Sequence, residues 1–240
     1  MIAPMHHPPM PCLLLLAAGR SRRLGRPKGT LGGSARPLLL RQLQLARAAG
    51  FTEACVVLGA AAPRLRTVLS ATAQRALGFR RLTLIHAHAW REGMGGSLRD
   101  GLRALPADWH AALVLLVDQA WLEAEDLRAL VKAARGGGRW QLAAACTRSG
   151  GRRQAPVVLP RGLTPTALAR LRGDTGLGPW LNGNTTAPAA GRPAARDVQA
   201  VLLPRAGLDL DTPTDAARWR TAQRKRGPKP PFPLKRSTRI

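Results

Sequence analysis

A chain of 240 residues that is 45% apolar and 21% charged is globular in composition and long enough for one large domain with a well-buried core. Its formal net charge of +25 is mostly arginine and comes with abundant Ala, Gly, Leu and Pro and no tyrosine, a pattern a coding bias produces as readily as an anionic partner, so charge alone selects no function. Three widely spaced cysteines, Cys12, Cys55 and Cys146, exclude a disulfide framework and a CxxC metal site, and no stretch approaches the ~20 apolar residues of a membrane span.

Residues 1–11 read as a flexible leader, in which His6 and His7 carry no chemistry. The run CLLLLA (12–17) ends in small residues as a secretory signal does, but no cation precedes it and its apolar core is at the bottom of the roughly 7–15 residues such signals use, so it reads as a first strand and the protein as soluble and cytoplasmic. Further short apolar runs follow: ACVVLGA (54–60), LTLIHA (82–87), AALVLLVD (111–118), WQLAAAC (140–146), APVVLP (155–160) and VQAVLLP (198–204). They lack polar alternation and predict strands buried on both faces. Between them Leu39, Leu43 and Ala46, then Leu98, Leu102 and Leu105, then Leu127, Leu130 and Ala134 recur at helical spacing. Alternating strand and helix predict a single α/β domain over residues 12–222, a Rossmann-like mostly parallel sheet flanked by helices with right-handed crossovers, whose ligands bind outside the carboxyl ends of the strands. From 223 to 240 a basic tail, with seven cations from Arg224 onward and prolines at 228, 230, 231 and 233, predicts a disordered arm, either a solubilising terminus or a loose anionic attraction.

The loop after the first strand, AGRSRRLGRPK (18–28), sets five cations beside two glycines. Gly19 and Gly25 let backbone N–H groups turn toward a ligand, and mutual repulsion among the cations calls for an anion such as a polyphosphate; the alternative is a basic surface loop. No GK[ST] follows, so it is not a Walker loop.

Leu16-Ala-Ala-Gly-Arg-Ser-Arg-Arg-Leu-Gly-Arg-Pro-Lys28 resembles the signature L-A-A-G-x-S-x-R-M-G-x-x-K of the MobA-like nucleotidyltransferases, most closely the molybdenum cofactor cytidylyltransferases. Glu92-Gly-Met-Gly-Gly-Ser-Leu98 is similar to the family's E-G-M-x-x-S-L, Leu116-Val-Asp-Gln119 to L-x-D-Q-P, Gly173-Asp-Thr-Gly176 to G-D-x-G, and Asp209-Leu-Asp-Thr-Pro-Thr-Asp215 to D-I-D-T-P-E-D. Five ordered motifs spanning about Leu13 to Trp219 imply the nucleotide-diphospho-sugar transferase fold. They also imply attack by an acceptor phosphate on the α-phosphorus of an NTP, with release of pyrophosphate.

Such a transfer requires alignment and charge neutralisation rather than a protein nucleophile. By the resemblance, Arg23 and Lys28 hold the triphosphate, Ala17, Ala18 and Gly19 add backbone contacts, and the turn of Gly95, Gly96 and Ser97 meets base and ribose. Arg20, Arg22 and Arg26 fall at variable positions and are expected to face solvent. Asp118, closing an apolar strand, is costly to bury unpaired; a hard cation such as Mg²⁺ resolves that cost, as a strand-end ion pair or helix cap also would. The resemblance places the second metal carboxylate in Asp209-Leu-Asp211; strand alternation puts both acids on one face, and Asp211 is preferred. Asp215 reads as a helix-start acid after Pro213, and Ser97 as a helix N-cap after two flexible glycines. His86 and His88 lack a third ligand at companion spacing and read as structural, and Trp90, Trp121, Trp140 and Trp180 as core or rim packing. The Ala17-Ala18-Gly19 form leans toward CTP. Partners implied are an NTP and a phosphorylated small-molecule acceptor, such as the molybdenum cofactor, with no membrane.

Departures from the family pattern cluster: Ala120 replaces the Pro after Asp118-Gln119, Gln154-Ala-Pro-Val157 stands for G-H-P-V, and Gly178 stands where an Arg is expected. The last two fall in the half that the resemblance assigns to the acceptor. Two other readings carry different expectations: a basic nucleic-acid-binding protein, against which no RNP, KH or helix-turn-helix signature appears, and a weakened family member with a regulatory or cofactor-delivery role.

Overall fold

Residues 9–32, 37–183 and 198–225 are described by a computed structural model. The Leu13–Leu16 run becomes β1 (Cys12–Ala17), a strand buried along its whole length. Its period of two divides it between two cores: Leu13, Leu15 and Ala17 face one side of the sheet, Cys12, Leu14 and Leu16 the other. Each fully buried leucine contributes about 1.5–3 kcal/mol over exposure, so a strand without polar alternation is stable only when sandwiched.

In chain order α1 (Leu38–Ala48), β2 (Glu53–Leu58), α2 (Ala62–Val68), α3 (Ala71–Leu77), β3 (Arg81–His86), α4 (Met94–Arg103) and β4 (Ala111–Leu116) follow β1. Then come α5 (Ala124–Ala133), the short ribbon β5 (Arg135–Gly136) and β6 (Arg139–Trp140), β7 (Ala143–Cys146), β8 (Arg153–Pro160), α6 (Thr164–Leu168), α7 (Gly178–Leu181), β9 (Gln199–Leu202) and α8 (Pro213–Lys225). Seven strands form one sheet in the order β3-β2-β1-β4-β8-β7-β9, parallel except for β8, which runs antiparallel to β4 and β7. Side chains from α1, α2, α3, α5 and α8 fill one core, and those from α4, α6 and α7 the other. This is a single α/β domain with a mostly parallel sheet, as the alternation predicts.

Three expectations need correction in detail. β3 and β9 are not buried on both faces: each lies at a sheet edge and carries exposed residues, and Leu202 is 55% exposed. The run 140–146 divides between the β5–β6 ribbon and β7. α8 carries Arg224 and Lys225 within the helix, because the first helix-breaking proline stands only at 228; of the tail, residues 226–240 lie outside the described residues, as do 1–8 of the leader. Met10 of that leader packs against the core. All three cysteines are buried and free, and among the described residues no helix is long and apolar enough to cross a membrane.

Candidate active site

β1 and β4 are central neighbours at which the strand order reverses, with α1, which follows β1, on one face of the sheet and α4, which leads into β4, on the other, so a crevice opens beyond their carboxyl ends. A cleft of about 600 Å³ lies there. Beyond β1 the chain folds back through two 3₁₀ turns, Arg22–Leu24 and Lys28–Thr30. Ser21, at φ 53°, holds a left-handed conformation unusual for a non-glycine residue, and its Oγ accepts the Lys28 N–H at 3.0 Å, closing the loop. Gly29 seats the loop on α2: a Cβ there would stand 2.8 Å from Leu65 Cδ2, and that leucine would have to shift to admit it.

Asp118 projects from a turn just beyond β4 that is clasped from several sides. The fully buried Gln42 of α1 donates its amide to the carbonyls of Val117 (3.2 Å) and Gln119 (3.0 Å), bracketing Asp118. Buried Gln119 donates to the carbonyls of Ala155 (2.7 Å) and Ala206 (3.0 Å). The Asp118 carbonyl accepts from Ala120 N–H at 2.7 Å and Leu210 N–H at 3.1 Å, and the Trp219 indole of α8 donates to the Ala120 carbonyl at 3.2 Å. Ala120 thus supplies a donor that a proline would lack.

The Leu210 bond also delivers the second acidic segment. Residues 208–211 are not a strand: β9 ends at Leu202 and a 3₁₀ turn, Pro204–Gly207, follows, so strand alternation does not place Asp209 and Asp211. Asp211 nonetheless reaches the site. Lys28 Nζ lies 2.5 Å from Asp118 Oδ2 and 2.7 Å from Asp211 Oδ1, and Arg23 reaches Asp211 Oδ2 at 3.1 Å. Burial works against the Lys28 ammonium, but Asp118 and Asp211 outweigh it and raise its pKa; the Lys28 hydrogen bond in turn holds Asp211 below the usual carboxylate range. Asp209 keeps an exposed flank, yet crowding by protein around its carboxyl, reinforced by the Asp118 charge, raises it to about 6. Asp215, the helix-start acid expected after Pro213, also caps α8: it accepts from the N–H groups of Asp211 and Thr212 while its own N–H donates to Thr212 Oγ1.

On the other wall, α4 begins at Met94 with Gly93 as its N-cap, at φ 121°. Ser97 is therefore not the cap: it lies inside the first turn, buried, with its hydroxyl donating to the Gly93 carbonyl at 3.2 Å. Gly95 and Gly96 are helical rather than flexible. A Cβ on Gly95 would stand 2.6 Å from the Thr175 carbonyl, and one on Gly96 2.4 Å from that of Ala89, so both permit close backbone approach. Ser97, Gly93 and Met94 line the cleft together with Ala17, Ala18, Gly19, Arg23, Lys28, Asp118, Asp174 and Asp211, whereas Gly95 and Gly96 lie behind its wall. Arg20 and Arg22 are exposed to solvent, as expected, and also line the cleft, as does Trp90; Arg26 is exposed outside it. Trp140 and Trp180 are buried, and His86 and His88 pack edge to face at 5.4 Å. Ser21 and Gln42 were given no role from sequence, and only the serine stood within a recognisable motif.

Two half-buried carboxylates around one ammonium suit a hard cation: like charges this close need a positive partner, and Mg²⁺ accepts one or two carboxylates while completing its shell with water and phosphate oxygens. Among the described residues no three His, Cys, Asp or Glu side chains are grouped to hold a metal without such help.

A cleft at the switch between β1 and β4, walled by a cationic glycine loop and carrying paired acids, defines a nucleotide-binding α/β transferase. The MobA-like NTP transferase domain matches residues 13–189, and the chain belongs to this family of nucleotidyltransferases. Among solved structures it is similar to Rv0371c from Mycobacterium tuberculosis H37Rv, with 25% identity, TM-score 0.64, and coverage of 88% of this chain and 97% of that one. The complex of Rv0371c with manganese aligns at 24% identity and TM-score 0.61, covering 88% and 98%. A nucleotidyl transferase from Methanothermobacter, Mth528, shares the fold at 18% identity and TM-score 0.66, covering 90% and 98%. Comparison with curated proteins gives no match.

Proposed function

We propose that the protein transfers a nucleoside monophosphate from CTP to a phosphorylated small-molecule acceptor such as the molybdenum cofactor, in the cytoplasm, with Mg²⁺ held by Asp118 and Asp211. The observation that carries this reading is the convergence of Lys28, Asp118 and Asp211, which lie 90 and 183 positions apart in sequence yet share one ion-pair cluster. Lys28 keeps two like charges from facing each other unpaired; a four-carbon point charge, it can turn to a phosphate oxygen when the carboxylates have another cation. Mg²⁺ held by Asp118 and Asp211 would supply charge neutralisation to the phosphates. Arg23, 72% exposed, is free to move and adds a forked donor to the triphosphate. Ala18 and Gly19 line the cleft, with nothing within 4 Å of the Cβ position of Gly19, and Ser97 stands at the wall where base and ribose would lie.

The test is pyrophosphate release measured across the four NTPs with Mg²⁺, using molybdopterin and sugar 1-phosphates as acceptors. CTP with molybdopterin is expected to turn over fastest. Asp118→Asn is expected to depress the rate by roughly 10²-fold or more while the protein stays folded, since a single electrostatic stabiliser is commonly worth that much; an Asn variant as fast as its parent would remove the metal role.

A further inference from the structure

Two cationic clusters line the cleft, and only one is balanced. Lys28 and Arg23 are matched by Asp118 and Asp211. Arg20 and Arg91 lie with their guanidinium carbons 4.9 and 4.8 Å from the centroid of the Trp90 ring, and all three side chains line the cleft. Among the described residues neither arginine is within ion-pair reach of a carboxylate.

Cation–π contact favours each guanidinium by only about 0.5–2 kcal/mol and does nothing to relieve repulsion between the two. A guanidinium held against a ring still has its N–H groups in its own plane, so the stack limits where the forks point and leaves their donors unused. The ring is held in turn. Trp90 belongs to the 3₁₀ turn His88–Glu92, whose Ala89 N–H donates to Asp100 Oδ2 at 2.9 Å, and Gly59 passes so near that a Cβ there would stand 2.8 Å from Trp90 Cβ. Two guanidinium forks gathered on one ring at the cleft wall describe half of an anion-binding site.

We propose that Arg20, Trp90 and Arg91 form the subsite for the acceptor's phosphate, a dianionic phosphate monoester. This rests on the transfer reading above, in which Lys28 and Arg23 take the triphosphate. One oxygen of the acceptor phosphate forms the new P–O bond to the α-phosphorus as the bond from that phosphorus to the pyrophosphate oxygen breaks, and pyrophosphate leaves with the electron pair. Arg20 and Arg91 hold the acceptor's remaining oxygens, and Trp90 fixes the spacing of the two forks.

Calorimetric titration with phenyl phosphate and with inorganic phosphate, alongside Mg-CTP, tests this on the intact protein. The double variant Arg20→Gln with Arg91→Gln is expected to weaken phenyl phosphate and inorganic phosphate binding by roughly tenfold or more, in line with loss of charge-assisted hydrogen bonds, and to leave the Kd for Mg-CTP within about threefold. Trp90→Leu should weaken the same probes and Trp90→Phe should restore most of the affinity. Equal losses for Mg-CTP and phenyl phosphate would assign the cluster to the triphosphate and overturn the proposal, as would unchanged binding of both or a parent protein that binds no phosphate monoester. If the parent fails to bind Mg-CTP while phosphate binding still tracks Arg20 and Arg91, the subsite stands and the transfer reading falls.

Discussion

Gln42 illustrates how a single residue with no motif can govern a site. Its amide is wholly buried and bonds the carbonyls on either side of Asp118, so replacing it strands two buried acceptors and frees the turn. Gln42→Leu is expected to cost about 1–3 kcal/mol of stability and to lower kcat more than it raises KM for the nucleotide, because Asp118 loses its fixed position; steady-state kinetics with thermal melts checks both. Asp209 makes a second, opposite case. Its folded pKa of about 6 lies above the ordinary 3.8, so between those values the native protein holds a proton that the unfolded chain has released. That contribution to stability is complete below pH 3.8 and is lost as pH rises through 6. Asp209→Asn should therefore flatten the stability–pH curve between about pH 4 and 6 and melt above its parent at pH 8, by roughly a degree or two given the exposed flank. A variant with the parent's slope would refute the assignment.

At the scale of elements, the turn of Gly173-Asp-Thr-Gly176 is pressed against the first turn of α4. A Cβ on Gly95 would meet the Thr175 carbonyl, the Arg172 nitrogen at 2.9 Å and the Gly173 carbonyl at 2.9 Å, all backbone atoms that cannot rotate aside. Gly95→Ala should cost about 1–3 kcal/mol and shift Ser97 and Asp174 at the cleft wall, which melting and nucleotide titration would register together. Sequence patterns revealed β1, β2 and β4 well because a strand covered on both faces needs an unbroken apolar run, and the five motifs because each is a local string. They did not reveal the contacts that join the motifs. Gln42 and Trp219 act on backbone carbonyls across the molecule, and a carbonyl is the same acceptor whatever its side chain, so no residue pattern marks it. The Gly95-Gly96 pair reads as two flexible glycines before a helix cap and is a packing contact in the fold, because what requires the glycines is the distant segment lying against them.

For the whole molecule, the balanced Lys28 cluster and the unbalanced Arg20–Arg91 cluster give the cleft a net appetite for anions that the global charge of +25 only blurs. Specific nucleotide capture should therefore be separable from general stickiness. With Mg-CTP at 100 times its Kd, linkage raises stability by about 2.7 kcal/mol, which for a chain of this size corresponds to roughly 5–10 °C in Tm. The shift should require the divalent cation and survive moderate salt, whereas attraction to a polyanion should fade steeply as salt rises. Equal shifts with and without Mg²⁺ would favour the nucleic-acid reading.

Two of the groups that clasp the Asp118 turn come from late in the chain: the Leu210 N–H and the Trp219 indole lie far beyond the cationic loop they help to complete. During synthesis on the ribosome the cationic loop and Gln42 emerge before the second acidic segment, and the turn lacks two of its clasps until α8 clears the exit tunnel. Competence for chemistry then waits for Asp211 and α8, and until they emerge the cationic loop lacks the second of its two acidic counterparts.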